Sequence, residues 1–128
     1  MTATEKEKYD RPLVTFALFA YNQEQYIREA IEGAFAQTYQ PLEIILSDDC
    51  STDRTFEIMR EMAAAYEGPH HLIVKKNEVN LGVATHFDKV MGESAGDLVV
   101  VAAGDDVSYD SRVSSCVELF YRLSLIHI

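Results

Sequence analysis

The sequence predicts an α/β domain: a doubly wound, mostly parallel sheet with strand order 3-2-1-4. Three observations predict it. Apolar runs of strand length alternate four times with stripes at helical spacing. The runs are continuous, as in strands covered on both faces. Four successive βα units need crossovers, which are right-handed and set the strands parallel. The 128 residues are 48% hydrophobic, enough for one domain with one core.

The first strand is Leu13 to Ala20. Asn22 is the expected N-cap of the first helix, with Gln25 closing a capping box. Ile27, Ala30, Ile31, Ala34 and Phe35 give that helix its apolar stripe. Pro41 punctuates before a second strand, Leu42 to Ser47. Ser51 or Thr52 is expected to cap a second helix, striped by Phe56, Met59, Ala63 and Tyr66 and stopped by Gly68-Pro69. A short third strand follows at Leu72 to Lys75, then a loop from Asn77 to Gly82. Val83, Phe87, Val90 and Met91 mark a third helix, ending near residues 92–96. Leu98 to Ala103 is the fourth strand, and Ser108 to Tyr121 a fourth helix.

Charge narrows the partners. Eleven Lys and Arg face 21 Asp and Glu, a formal net charge of -10. A nucleic-acid backbone needs a basic surface, so that partner is excluded. A phosphate held through a metal ion is not. Cys50 and Cys116 lie far apart and outside any Cys-x-x-Cys or Cys/His cluster. They read as small buried thiols in a reducing compartment. No apolar run approaches the ~20 residues of a membrane helix, and no secretory leader is visible. The expectation is a cytoplasmic, soluble protein.

Two acidic pairs carry the functional signal. Asp48-Asp49 ends the second strand and Gly104-Asp105-Asp106 ends the fourth. Tyr21-Asn22 ends the first. In open α/β sheets, ligands bind outside the carboxyl ends of the strands where the order reverses. With order 3-2-1-4, all three groups meet at that point. Each pair alone also fits a polar turn followed by a cap. Together they suit a divalent metal shared with a diphosphate, since Mg²⁺ or Mn²⁺ divides its oxygen ligands between carboxylates and substrate phosphates. No Gly-x-Gly-x-x-Gly follows the first strand and no Gly-x-x-x-x-Gly-Lys-Ser/Thr occurs, so two common phosphate cradles are absent. The glycine-free turn Ala20 to Gln25 instead offers an aromatic ring and amides to a base. Asp53 reads as a first-turn helix charge, His70-His71 as exposed loop, and His86 as core-facing or solvated.

The order and spacing of these segments resemble the nucleotide-binding half of a family 2 glycosyltransferase of GT-A fold. The matching pieces are Val14 to Asn22, Ile27 to Ile31, Gln37-Thr38-Tyr39, Glu43 to Thr55, Asn80-Leu81-Gly82-Val83 and Gly104-Asp105-Asp106, within residues 12–113. The resemblance implies transfer of a sugar from a nucleoside-diphosphate sugar, a UDP-sugar first among them, to an acceptor hydroxyl. It implies that Ala20, Tyr21, Asn22, Asp48, Asp49 and Asp105 hold the donor nucleotide, with Asp48 accepting from a base N–H. It implies that Asp105 and Asp106 bind Mn²⁺ or Mg²⁺. Ala103 stands at the first position of the family's Asp-x-Asp region.

The expected organisation is a flexible polar segment at 1–11, the nucleotide-sugar-binding part at 12–122, and a candidate non-native tail at 123–128. In this family the acceptor half and general base follow the metal motif. Asp110 and Glu118 are poor substitutes, so no catalytic residue is expected within the chain and the piece reads as inactive alone. A receiver-type signalling module would need its acidic pair after the first strand, and a sugar nucleotidyltransferase a glycine-rich, basic first turn. Neither pattern is present.

Overall fold

A computed structural model describes residues 11–126. Of the expected end segments, 1–10 and 127–128 lie outside the described residues, whereas 123–126 continue the last helix. The elements run β1 (Val14–Ala20), α1 (Ile27–Phe35), β2 (Leu42–Asp48), α2 (Thr55–Ala65), β3 (His71–Lys76), α3 (Val83–Glu93), β4 (Leu98–Ala103) and α4 (Arg112–Ile126). The sheet order is β3-β2-β1-β4, and every pairing is parallel.

Side-chain alternation divides the sheet into two faces. Val14, Phe16, Leu18 and Ala20 of β1 point to the larger core. There they join Ile44 and Leu46 of β2, the apolar stripe of α1, Ile58 and Met59 of α2, and Val113 and Val117 of α4. Ala17 and Ile45 point to the other face and pack on Val90 of α3, with Phe19 and Val99 beside them. Helices therefore cover both faces, and the fold is doubly wound.

The α3 face is more polar. Thr15 and Glu43 sit side by side in the β1–β2 register. Thr15 Oγ1 donates to Glu43 Oε2 at 2.7 Å, which also accepts from the Ala95 amide at 3.0 Å. The Gly96 amide closes the network on Thr15 Oγ1 at 2.9 Å. A buried carboxylate persists because donors surround it.

Several expected details change. Asn22 does not cap α1: the helix begins five residues later, Tyr26 is its N-cap, and no side chain caps it. Ser51 and Thr52 do not cap α2, whose first residue is Thr55; Asp53 Oδ1 accepts from the Thr55 amide at 2.9 Å instead. In each case the polar residue is used by a neighbouring loop. The fourth helix starts at Arg112 rather than Ser108, because Gln37 draws the preceding segment to α1. Its Nε2 donates to the Tyr109 carbonyl at 2.7 Å and its Oε1 accepts from the Val113 amide at 3.0 Å. His71 is exposed as expected, but His70 is buried against the Gln37 carbonyl at 2.7 Å. Cys50 is half-buried and Cys116 exposed, so neither is the buried thiol expected.

Candidate functional site

Three parallel strands end at one level and their loops continue the pairing. The Asp49 amide donates to Ala20 O at 2.9 Å, the Gly104 amide to Phe19 O at 2.8 Å, and the Asn77 amide to Asp48 O at 2.9 Å. Above these ends lies a crevice of about 480 Å³. Phe19, Ala20, Tyr21 and Gln23 line it from β1 and its loop, and Asp49 from the loop after β2. Val83, His86 and Phe87 line it from α3. Val101, Ala102, Ala103 and Asp106 close it from β4 and its turn. Thus the sheet's switch point, the first turn and one member of each acidic pair share one cavity.

The paired aspartates after β2 have separate surroundings. Asp48 is 0% exposed and does not line the crevice. Its Oδ2 accepts from the Ser51 amide at 2.8 Å and its Oδ1 from Ser51 Oγ at 2.5 Å. Asp49 is 4% exposed and faces the crevice. Its Oδ1 accepts from Asn77 Nδ2 at 2.9 Å and the Leu81 amide at 2.8 Å. Its Oδ2 accepts from the Gly82 amide at 3.0 Å. Burial alone would raise the Asp49 pKa. The bonds from Leu81, Asn77 and Gly82 outweigh it and hold the carboxyl below its ordinary value. Gly82 adopts φ 83°, a conformation that favours glycine, and so brings its amide to this carboxylate.

His86 lies beneath the same cavity. Its Nε2 is 2.7 Å from Ser47 Oγ, and its ring packs edge-on against Phe19 at 4.9 Å. Burial lowers its pKa against the opposing pull of Asp49, so the ring is neutral near pH 7. Phe87 stacks on Phe19 with centroids 5.9 Å apart.

At the far end, Asp105 and Asp106 are exposed. Asp106 lines the crevice and pairs with Arg112 Nη1 at 3.4 Å; Asp105 is outside the lining. Arg112 also donates to Ser108 Oγ at 2.9 Å and to the Val101 carbonyl at 2.8 Å. Neither Asn22 nor Asp48 lines the crevice, Asn22 being exposed elsewhere and Asp48 buried. Among the described residues, no three His, Cys, Asp or Glu side chains group as a metal cage.

Of the expected site residues, Ala20, Tyr21, Asp49 and Asp106 meet in the crevice, while Asn22, Asp48 and Asp105 stand around it. The sequence reading did not single out Phe19, Gln23, Val83 and Phe87 as site residues. Phe87 falls in the apolar stripe of its helix, which gives no sign that its ring stacks on Phe19 and lines the crevice.

This architecture is that of the GT-A glycosyltransferases. The chain superposes on the mannosyltransferase PcManGT from Pyrobaculum calidifontis, in complex with GDP-Man and Mn²⁺, with a TM-score of 0.77 at 24% identity. The match covers 84% of this chain and 32% of that one. It superposes on S. aureus TarS 1-349, in complex with UDP, with a TM-score of 0.73 at 22% identity, covering 85% and 32%. The profile described as Glycosyl transferase family 2 matches residues 15–126, and the chain belongs to that family. It is 34% identical over 106 residues to the putative glycosyltransferase EpsE of Bacillus subtilis, covering 83% of this chain and 37% of EpsE. It is 42% identical over 88 residues to an uncharacterised Mycobacterium tuberculosis protein, covering 68% of this chain and 25% of the relative. The chain thus spans between a quarter and two-fifths of these relatives' length. No helix among the described residues is long and apolar enough to cross a membrane.

Proposed function

We propose that this chain forms the donor site of an enzyme transferring a sugar from a nucleoside-diphosphate sugar to an acceptor hydroxyl. The acceptor site and general base then belong to the additional length that the relatives possess. One observation carries the reading: the crevice at the switch point is lined by the Asp49 carboxylate from the β2 side and the Asp106 carboxylate from the β4 side, with apolar walls between. Ala20, Tyr21 and Asp49 are assigned to the base, and Asp105 and Asp106 to the ribose and diphosphate end. The structural relatives TarS, solved with UDP, and PcManGT, solved with GDP-Man and Mn²⁺, support a nucleotide-sugar ligand for a fold of this kind.

The hydrogen bonds of Asp49 favour a base class. Oδ1 already takes two donors, whereas Oδ2 takes one and keeps acceptor capacity. A single imide N–H, as in uracil or thymine, matches one free acceptor position. Guanine presents two adjacent N–H groups and would compete with Asn77 or Leu81 for Oδ1. Cytosine and adenine lack the ring N–H. A UDP- or dTDP-sugar is therefore the proposed donor.

Two exposed carboxylates, of which Asp106 has only the long contact to Arg112 at 3.4 Å, suit Mn²⁺ or Mg²⁺ that completes its shell with phosphate oxygens and water. Asp105 and Asp106 would hold it. An ion held there would supply positive charge to the departing diphosphate. The reading includes a cytoplasmic location, supported by two unpaired cysteines.

Thermal-shift titration with UDP, dTDP and GDP, each with and without Mn²⁺, tests this. UDP or dTDP at 100 times its Kd should stabilise the chain by about 2.7 kcal/mol, with Mn²⁺ tightening the response. A folded sample that responds to no nucleotide overturns the donor-site reading. A stronger response to GDP overturns only the choice of base.

A further inference from the structure

We infer that Asp48 is a positioning residue that acts through Ser51 and Asn22 to set the turn carrying Tyr21 and Gln23. Its use in binding rests on the donor-site reading above, although the linkage itself does not.

Asp48 is sealed from the crevice, and both its oxygens are taken by Ser51. Ser51 Oγ has one proton, and it is committed to Asp48 Oδ1. The hydroxyl oxygen is then left as an acceptor, and the Asn22 amide donates to it at 2.9 Å. Asn22 adopts φ 51°, in the left-handed region that most L-residues avoid. Its side chain is held in return. Asn22 Oδ1 accepts from the Thr52 amide at 2.8 Å and from Thr52 Oγ1 at 3.2 Å.

The exchange continues along both loops. The Gln23 amide donates to Thr55 Oγ1 at 2.8 Å and the Glu24 amide to Asp53 Oδ2 at 3.3 Å. Glu24 Oε2 accepts from the Arg54 amide at 3.2 Å. Three successive amides of the β1 loop are received by side chains of the β2 loop and the first residue of α2, and two amides of the β2 loop by side chains of the β1 loop. A turn without glycine is thereby fixed by its neighbour's side chains, with Asp48 anchoring the most buried end. Tyr21 and Gln23 on that turn line the crevice, and Tyr21 remains 46% exposed to it and to solvent. Gly104 packs on the other side of the turn, 2.9 Å from Ala20 Cβ when a Cβ is built on it. The nucleotide end of the crevice therefore depends on residues that never touch it.

Two measurements on the whole chain test this. Amide exchange without ligand should show the Asn22 and Gln23 amides losing protection in Ser51→Ala and in Asp48→Asn, while the Gly104 amide, bonded to β1, keeps its own. Unchanged protection of Asn22 and Gln23 in both variants overturns the inference whether or not any nucleotide binds. Calorimetry with UDP and Mn²⁺ supplies the second. Asn22→Gly keeps the left-handed backbone and loses the acceptor; it should weaken UDP about tenfold. Asn22→Asp keeps both features and should retain most of the affinity. Asp48→Asn combined with Asn22→Gly should weaken binding no more than the larger single change, because both break one path. Additive losses in folded variants would mean that Asp48 meets the nucleotide directly and would overturn the positioning role.

Discussion

At the residue scale, the neighbouring aspartates Asp48 and Asp49 are divided by which amides reach them. Strand alternation turns their side chains to opposite sides, and only Asp49 meets the loop ahead of α3. Asp49→Ala would leave the Leu81 and Gly82 amides and Asn77 Nδ2 without their acceptor. The expected loss is about 3 kcal/mol of stability in chemical denaturation, together with loss of the UDP response. His86 provides a pH signature. Its folded pKa lies below the ordinary 6.5, so the unfolded chain binds the proton more readily. Its contribution is complete above pH ~6.5 and is lost as pH falls through the folded value. Melting temperature should therefore drop as pH falls below about 6.5, and His86→Gln should flatten that part of the profile. These distinctions were only partly legible. The Asp-Asp pair stands out at a strand end, but nothing in a string of letters says that Ser51 will occupy the first carboxylate. His70 was misread for a similar reason: its partner is a carbonyl 33 positions away.

Elements were more legible than caps. The strands fall within a residue or two of their expected bounds because a doubly covered strand is mostly apolar, and β2 is buried from Leu42 to Asp48 with its polar members hydrogen-bonded. Caps failed because Asn22, Ser51 and Thr52 have the same local chemistry whether they serve a helix or another loop. The start of α4 shifted because Gln37, 72 residues before Tyr109, claims that segment. The same contact makes a prediction at this scale. Gly33→Ala within α1 should gain about 1 kcal/mol in helix propensity. A Cβ there would instead lie 2.8 Å from the Ser108 carbonyl oxygen and 3.0 Å from its amide nitrogen, both backbone atoms that cannot rotate away. The expected result is a net loss of about 1–3 kcal/mol, read as a lower melting temperature. A rise would show that the α1–Ser108 contact yields easily.

At the scale of the whole molecule, β4 ends the sheet, with Val101 exposed, and α4 presents Leu119, Tyr121 and Leu123 to solvent. An open edge beside apolar side chains favours association. The isolated chain should therefore self-associate with rising concentration, and Leu119→Lys with Leu123→Lys should shift it toward monomer in analytical ultracentrifugation. A monomer throughout would mean that Arg112, bonded to the Val101 carbonyl, blocks the edge well enough alone. By itself, the sequence determined the parallel doubly wound sheet, its order 3-2-1-4 and the convergence of three strand ends. The parallel sheet follows from periodicity and crossover handedness, and the order from likeness to a mononucleotide-binding half, which brings the three strand ends together. Only the tertiary structure decided which aspartate faces the crevice, that Phe87 and His86 build its wall, and that the β2 loop holds the β1 loop in place. Those depend on hydrogen bonds between segments about thirty or more residues apart, whose partners are chosen by three-dimensional proximity rather than by neighbours in the chain.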